Sequence, residues 1–295
     1  MTCRELLQEG RHALSGMPEG ARDAGIFLEE VLHVRADVVF TDPDREVTEE
    51  ECRLYRSYLL RRKNREPLAY IIGHWAFMGL DFAVNPHVLI PEQDSECLVE
   101  TALTRLQEAE VRSVLDIGTG SGCLLLSVLH YAGEMAGAGR CASIERALGI
   151  DISEEALAAA RGNAEALGLS GMLSFERADC FPEGSERFDL ILSNPPYIAE
   201  TERAELSPEV LCEPETALFG GEDGLSLYRR IIRGAGERLH PQGMLILEIG
   251  ASQAEQVREL LLENGFEQIR LVKDLGGLDR VLTGVYPGSM GGTHV

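Results

Sequence analysis

The chain has no apolar run approaching the ~20 residues that cross a bilayer as a helix, so no membrane span is expected. Its start, Met1-Thr2-Cys3-Arg4-Glu5, has no secretory apolar region, and a cytoplasmic location is expected. The cysteines, at 3, 52, 97, 123, 141, 180 and 212, are odd in number, scattered and without a Cys-x-x-Cys pair. That pattern disfavours both a disulfide framework and a zinc site, and no metal is expected. Basic residues are scarce, 27 Lys and Arg against 49 Asp and Glu, for a net charge of −22. Binding to DNA or RNA depends on neutralising phosphates, so this balance speaks against a stable nucleic-acid partner. The deficit is uneven: residues 1–85 hold 11 basic and 15 acidic side chains. Within them Arg53, Arg56, Arg61, Arg62, Lys63 and Arg65 cluster towards a helix end, where the helix dipole favours cations.

At 295 residues the chain has room for one small and one standard domain. Residues 1–73 read as a helical bundle. Ala24, Phe27, Leu28, Val31 and Leu32 repeat on one face, and Val47 followed by Thr48-Glu49-Glu50-Glu51 predicts a hydrophobic staple and a capping box. Residues 74–92 carry Trp75, Phe77, Phe82, Val84, Val88 and Ile90 around Gly79 and Asn85, which predicts a β-hairpin linking two domains, with His74 on its surface. From 93 to 287 helices and strands alternate, with strands expected near 113–118, 146–152, 173–179, 188–194, 243–250, 266–273 and 279–286. Such alternation predicts an α/β fold with a doubly wound, seven-stranded sheet. Gly133 to Ser143 reads as an enlarged surface loop and 288–295 as a disordered tail.

The ends of four of these strands carry groups suited to a ligand. Asn194-Pro195-Pro196-Tyr197 follows the apolar run Phe188 to Ser193. Proline restricts the residue before it to extended conformations, so Asn194 can point into a cleft, and Pro196 has no N–H to occupy a neighbouring carbonyl. One Asn oxygen and one backbone carbonyl can accept both hydrogens of a planar NH2 group, while Tyr197 offers a face to stack on it. Upstream, Val114 to Ile117 runs into Gly118-Thr119-Gly120-Ser121-Gly122, a turn whose glycines permit positive φ and close approach of backbone to a ligand at a helix N-terminus. The spacing is Gly-x-Gly-x-Gly, which disfavours a dinucleotide and hence a nicotinamide oxidoreductase. Asp116 ends that strand, Asp151 ends the next before the helix cap Ser153, and Asp179 ends a third, with Phe181 following. Asp151 could take both ribose hydroxyls of an adenosine, Asp179 its amine, and Phe181 could cover the ring; each Asp could equally cap a helix.

The chain resembles the release-factor glutamine methyltransferases over nearly its whole length. Besides the clamp and the glycine turn, the likeness rests on Pro67-Leu68-Ala69-Tyr70-Ile71-Ile72-Gly73, Val88-Leu89-Ile90-Pro91, Glu213-Pro214-Glu215-Thr216-Ala217-Leu218, Asp223-Gly224-Leu225, Glu248-Ile249-Gly250 and Asp279-Arg280-Val281. Glu92-Gln93 departs from the family's Arg-Pro. The resemblance implies a class I methyltransferase sheet and S-adenosyl-L-methionine as cofactor. It also implies transfer to the side-chain amide of the Gln in the Gly-Gly-Gln loop of class I peptide chain release factors, with residues 1–73 docking that substrate. On this reading Asn194, Pro195, Pro196 and Tyr197 hold the glutamine. Asp116, Gly118, Thr119, Gly120, Gly122, Asp151, Asp179 and Phe181, with Asn194, surround the cofactor. The alternatives are an amino-methyltransferase acting on adenine or cytosine, using the same clamp on a flipped base, and a non-catalytic cofactor-binding interaction protein.

Overall fold

The computed structural model describes residues 1–34 and 41–288. They form two compact units, one of Met1–His74 with Ser207–Cys212, the other of the remaining chain from Trp75. The tail expected to be disordered lies, from 289 on, outside the described residues.

The first unit is built on α1 (Cys3–Ala13), α2 (Gly20–Leu32), α3 (Glu49–Lys63) and the short α4 (Leu68–Ile72). The predicted face of α2 is buried: Ala24, Phe27, Leu28, Val31 and Leu32 pack with Leu6, Leu14 and Tyr55. Tyr55 donates its hydroxyl hydrogen to the Ala24 carbonyl (3.0 Å), and it fits only because residue 10 is glycine; a Cβ there would lie 1.9 Å from the Tyr55 oxygen. α3 begins as its sequence predicts. Thr48 Oγ1 accepts from the Glu51 N–H (3.2 Å) and Glu51 accepts in return from the Thr48 N–H (2.7 Å), an arrangement worth about 1 kcal/mol.

The basic cluster at the end of α3 is not a free patch. Arg62 is drawn inward, its Nε 2.7 Å from Asp23 Oδ2 and its Nη1 3.0 Å from Glu209 Oε1. Arg65 also reaches Glu209 (3.3 Å), and Arg61 pairs with Glu66 (2.8 Å) while donating to the Tyr70 and Ile71 carbonyls. Segment 207–212, read from sequence as part of the α/β region, belongs to this unit through those ion pairs.

After the first unit, β1 (His74–Phe77) and β2 (Leu80–Ala83) form the expected hairpin around Met78 and Gly79, both at positive φ (51° and 72°), the geometry a two-residue hairpin turn requires. The pairing ends at Ala83; residues 84–92 are irregular instead of continuing as strand. The sheet follows in the order β5-β4-β3-β6-β7-β9-β8, from β3 (Ser113–Ile117), β4 (Arg146–Asp151), β5 (Leu173–Arg177), β6 (Phe188–Ser193), β7 (Leu239–Glu248), β8 (Glu267–Lys273) and β9 (Asp279–Val285). β3 to β7 are parallel, whereas β9 runs antiparallel to both β7 and β8. Helices cover both faces. α5 (Glu96–Glu108) and α6 (Cys123–Gly137) bury Leu98, Val99, Leu125 and Val128 on one side. α9 (Ser226–Arg238) and α10 (Ala254–Glu263) bury Tyr228, Ile232, Val257 and Leu261 on the other. Between them in the chain come α7 (Glu154–Ala166) and α8 (Glu215–Leu218).

Two boundaries differ from expectation. β7 starts four residues early, because Leu239 pairs with Phe188 across an irregularity in register that accommodates His240-Pro241-Gln242. α6 continues through Gly133 to Gly137, so its buried Ala132 and Met135 outweigh the low helix propensity of the two glycines. β3 lies between β4 and β6, where successive connections leave in opposite directions. Open α/β sheets bind ligands at such a switch point, beyond the carboxyl ends of the strands.

Candidate active site

A cleft opens at that switch point. Gly118, Thr119 and Gly120 form one wall, in a turn whose glycines 118, 120 and 122 all have positive φ (73°, 55° and 81°). The turn is pinned to the neighbouring strand, since the N–H groups of Gly118 and Thr119 both donate to the Ile150 carbonyl (2.9 and 2.8 Å). Gly122 does not line the cleft. It turns the chain into α6 at a point where Leu126 and Ala160 leave little space.

Asp116 is fully buried below the turn and also off the cleft wall. Its Oδ2 accepts the Thr119 hydroxyl (2.7 Å), and its Oδ1 has no partner among the described residues. Burial, with the charge of Asp151 adding to it, pushes the carboxyl up to about 7. Through Thr119 it holds the turn from below. Asp151 lines the cleft, each carboxylate oxygen taking one backbone N–H: Oδ2 from Gly120 (3.0 Å) and Oδ1 from Ser153 (2.9 Å). Each oxygen keeps a lone pair for a further donor, so the carboxylate is aligned without being saturated. Ser153 caps α7 as expected, accepting from the Ala156 N–H (3.1 Å).

The third strand end is arranged differently from its reading. Asp179 lines the cleft but is exposed and ion-paired with Arg230 (2.7 Å). Phe181 is not a wall residue: its ring packs where a Cβ on Gly234 would fall 2.3 Å away, beneath Arg238. The reversal comes at Cys180, whose positive φ (71°) turns the chain and puts the cysteine, not the phenylalanine, on the wall; burial pushes its thiol up to about 11. Ile152, Ala178 and Leu227 supply the apolar surface expected of Phe181.

The clamp follows β6, the strand paired with β3. Asn194 and Pro196 line the cleft, and Pro195 is buried. Asn194 donates through Nδ2 to Ser95 Oγ (3.3 Å), which leaves its oxygen as the acceptor on offer. The segment is braced from behind: the Ile198 N–H donates to Leu218 (3.0 Å) and Gly220 to Ile198 (2.9 Å). Tyr197 is not on the wall; its ring lies close to Gly250, its carbonyl accepts from Gln253 Nε2 (2.9 Å), and burial together with Glu248 raises its hydroxyl well above the usual phenol range.

Sequence reasoning left unassigned the remaining walls, Val88, Leu89 and Pro91 after the hairpin and Pro214, Thr216 and Ala217 around α8. The two segments are joined by Glu213, which accepts the Ile90 N–H (3.0 Å) and whose carboxyl burial pushes up to about 7. The motifs were visible, but their contact spans more than a hundred residues. Among the described residues no group of His, Cys, Asp and Glu could hold a metal, and no helix is long and apolar enough to cross a membrane.

Residues 5–73 match the PrmC N-terminal domain family and residues 110–272 a methyltransferase domain family. A release factor glutamine methyltransferase of Geobacter sulfurreducens is 39% identical over 286 residues, 96% of each chain. One of Caulobacter vibrioides is 40% identical over 273 residues, 92% of this chain and 91% of its own. Among solved structures, a methyltransferase from Pyrococcus furiosus superposes with a TM-score of 0.50 at 18% identity, covering 78% of this chain and 97% of its own. The catalytic domain of hMettl16 in complex with the MAT2A 3'UTR hairpin 6 reaches 0.52 at 16% identity, over 81% and 82%. Those two likenesses, both under 25% identity, show the fold alone, whereas the identity to the Geobacter and Caulobacter proteins extends over more than nine-tenths of the chain, through both units: the chain belongs to the release factor glutamine methyltransferases.

Proposed function

We propose that this protein transfers a methyl group from S-adenosyl-L-methionine to the side-chain amide nitrogen of the glutamine in the Gly-Gly-Gln loop of class I peptide chain release factors. The observation that carries this reading is Asn194, held by Ser95 at the end of β6 with its oxygen left as acceptor, on the same cleft as the glycine turn and Asp151. The cofactor half fits the residues present. Asp151 is pre-aligned with acceptor capacity to spare, the turn offers backbone at positive φ, and Ile152, Ala178 and Leu227 give an apolar surface for a purine. When bound, S-adenosylmethionine supplies an electrophilic methyl group on a sulfonium.

An amide nitrogen is a poor nucleophile because its lone pair is delocalised, so the protein contributes geometry and field in place of a strong base. Holding the nitrogen in line can be worth up to ~7–11 kcal/mol. Asn194 and the Pro195 carbonyl accept the two N–H hydrogens, and both bonds strengthen as positive charge builds on nitrogen. Tyr197 braces the clamp through its contacts with Gly250 and Gln253.

The test is methyl incorporation from labelled cofactor into a release factor, its Gln-to-Ala variant, and polynucleotide. Labelling of the release factor alone is expected. Equal labelling of the Gln-to-Ala variant, or stronger labelling of polynucleotide at low salt, would overturn the substrate assignment. Asp151→Ala should weaken cofactor binding by roughly 1.5–3 kcal/mol, about ten- to a hundredfold, since charged hydrogen bonds are lost. Unchanged affinity by calorimetry would leave Asp151 with only its structural contacts to Gly120 and Ser153.

A further inference from the structure

We propose that Gln253 is a positioning residue for the reaction, setting where Asn194 and the Pro195 carbonyl sit by holding the peptide unit that follows them. The proposal rests on the reading of Asn194 as the acceptor clamp. Upstream the clamp is secured by the sheet, where Ser193 pairs with Leu247 and donates its hydroxyl hydrogen to the Ile117 carbonyl (2.8 Å). Downstream it cannot secure itself. Pro195 and Pro196 have no N–H to donate, so the backbone beyond Asn194 needs an anchor from elsewhere.

That anchor is the peptide unit between Tyr197 and Ile198, which is held on both edges. Its N–H donates to the Leu218 carbonyl (3.0 Å), and its carbonyl accepts from Gln253 Nε2 (2.9 Å). Gln253 Oε1 in turn accepts the Gly250 N–H (3.0 Å), just beyond the end of β7. A backbone N–H only donates and a backbone carbonyl only accepts, so these two partners leave the Gln253 amide one orientation. The side chain thereby ties the clamp to the chain beyond β7.

The surroundings leave room for this bridge and little else. A Cβ on Gly224 would fall 2.2 Å from the Tyr197 oxygen and 2.8 Å from Gln253 Nε2, and one on Gly250 would fall 2.8 Å from Gln253 Oε1. A Cβ on Gly220 would meet the Pro196 oxygen at 2.4 Å. Helix α10 does not account for the glutamine. Gln253 is its N-cap, a position that favours Ser, Thr, Asp or Asn, and its side chain makes no capping bond to the helix. Nor does Gln253 line the cleft, so it is not a cofactor contact.

The test is a double-mutant cycle on kcat, KM for a release factor, and cofactor affinity. Gln253→Met keeps the length of the side chain and gives up both hydrogen bonds. It should lower kcat roughly tenfold, the orienting effect of about one hydrogen bond, with cofactor affinity unchanged. Gln253→Asn supplies a preferred N-cap for α10 but is one methylene shorter than the bridge needs, and it should lose kcat to a similar extent. Placed on Asn194→Ala, either change should cost clearly less than in the wild type, because part of its route runs through the missing amide and only the Pro195 carbonyl remains to be misplaced. Full kcat in either Gln253 variant, weakened cofactor affinity, or an equal loss in both backgrounds overturns the positioning role and leaves the clamp standing. Full kcat in Asn194→Ala overturns the clamp and this role together. Should Gln253→Met fail to fold, Gln253→Asn carries the same cycle.

Discussion

Asn194→Ala is expected to bind S-adenosylmethionine normally and to turn over a hundred- to a thousandfold more slowly. The side chain lines the cleft, and its hydrogen bond is to Ser95, not to the glycine turn or Asp151. Removing it therefore leaves the cofactor wall intact. What disappears is a preorganised acceptor aimed at charge that develops on the amide nitrogen, and losing one such partner typically costs ~10²–10³ in rate. The loss should fall on kcat and kcat/KM together, since the interaction grows in the transition state instead of being made equally in the ground state. A raised KM at full kcat would mean that Asn194 only binds substrate, and weakened cofactor affinity would place it in the other half of the site.

Arg62→Ala should be the most destabilising charge removal in the first unit. The Arg62 and Asp23 side chains are only 10% and 7% exposed, and Nε lies 2.7 Å from Oδ2. Taking away the cation strands Asp23, which is 5% exposed, and breaking a buried pair from one side costs about 3–5 kcal/mol. Denaturant titration should show the midpoint of that unit falling with its slope unchanged. Replacing both members, Arg62→Met with Asp23→Leu, should recover most of the loss, because the buried charge is then gone. A loss of stability below about 0.5 kcal/mol in Arg62→Ala would mean the pair is solvated. This result bears on substrate docking too. Reversing Arg61, Arg62 and Arg65 would break ion pairs with Glu66, Asp23 and Glu209 and so cannot serve as a clean probe of an encounter surface.

The features legible in the sequence are those decided by a few consecutive residues. An apolar run ending in Asp or Asn marks a strand and its carboxyl end, so Asp116, Asp151 and Asn194 could be placed at strand ends before any contact was known. Glycines at 118, 120 and 122 announce positive φ, and Thr48 with Glu51 announces a helix start, because backbone sterics and capping act within one turn. The net charge and the motif order were likewise open to reading.

The tertiary structure decided which way side chains turn once the local pattern is satisfied. Phe181 was one residue from the position that would put it on the cleft, and the positive φ of Cys180 sent it against Gly234 instead. Arg62 looked like part of a solvated helix end until Asp23 and Glu209, 39 and 147 residues away, enclosed it. Ser95 and Asn194, 99 residues apart in the chain, meet at 3.3 Å only once the end of β6 lies beside the start of α5. Local sequence encodes periodicity and backbone preference, which fix the elements. The partner of a buried polar group is set by where distant elements pack, since only there does desolvation demand that its hydrogen bonds be met.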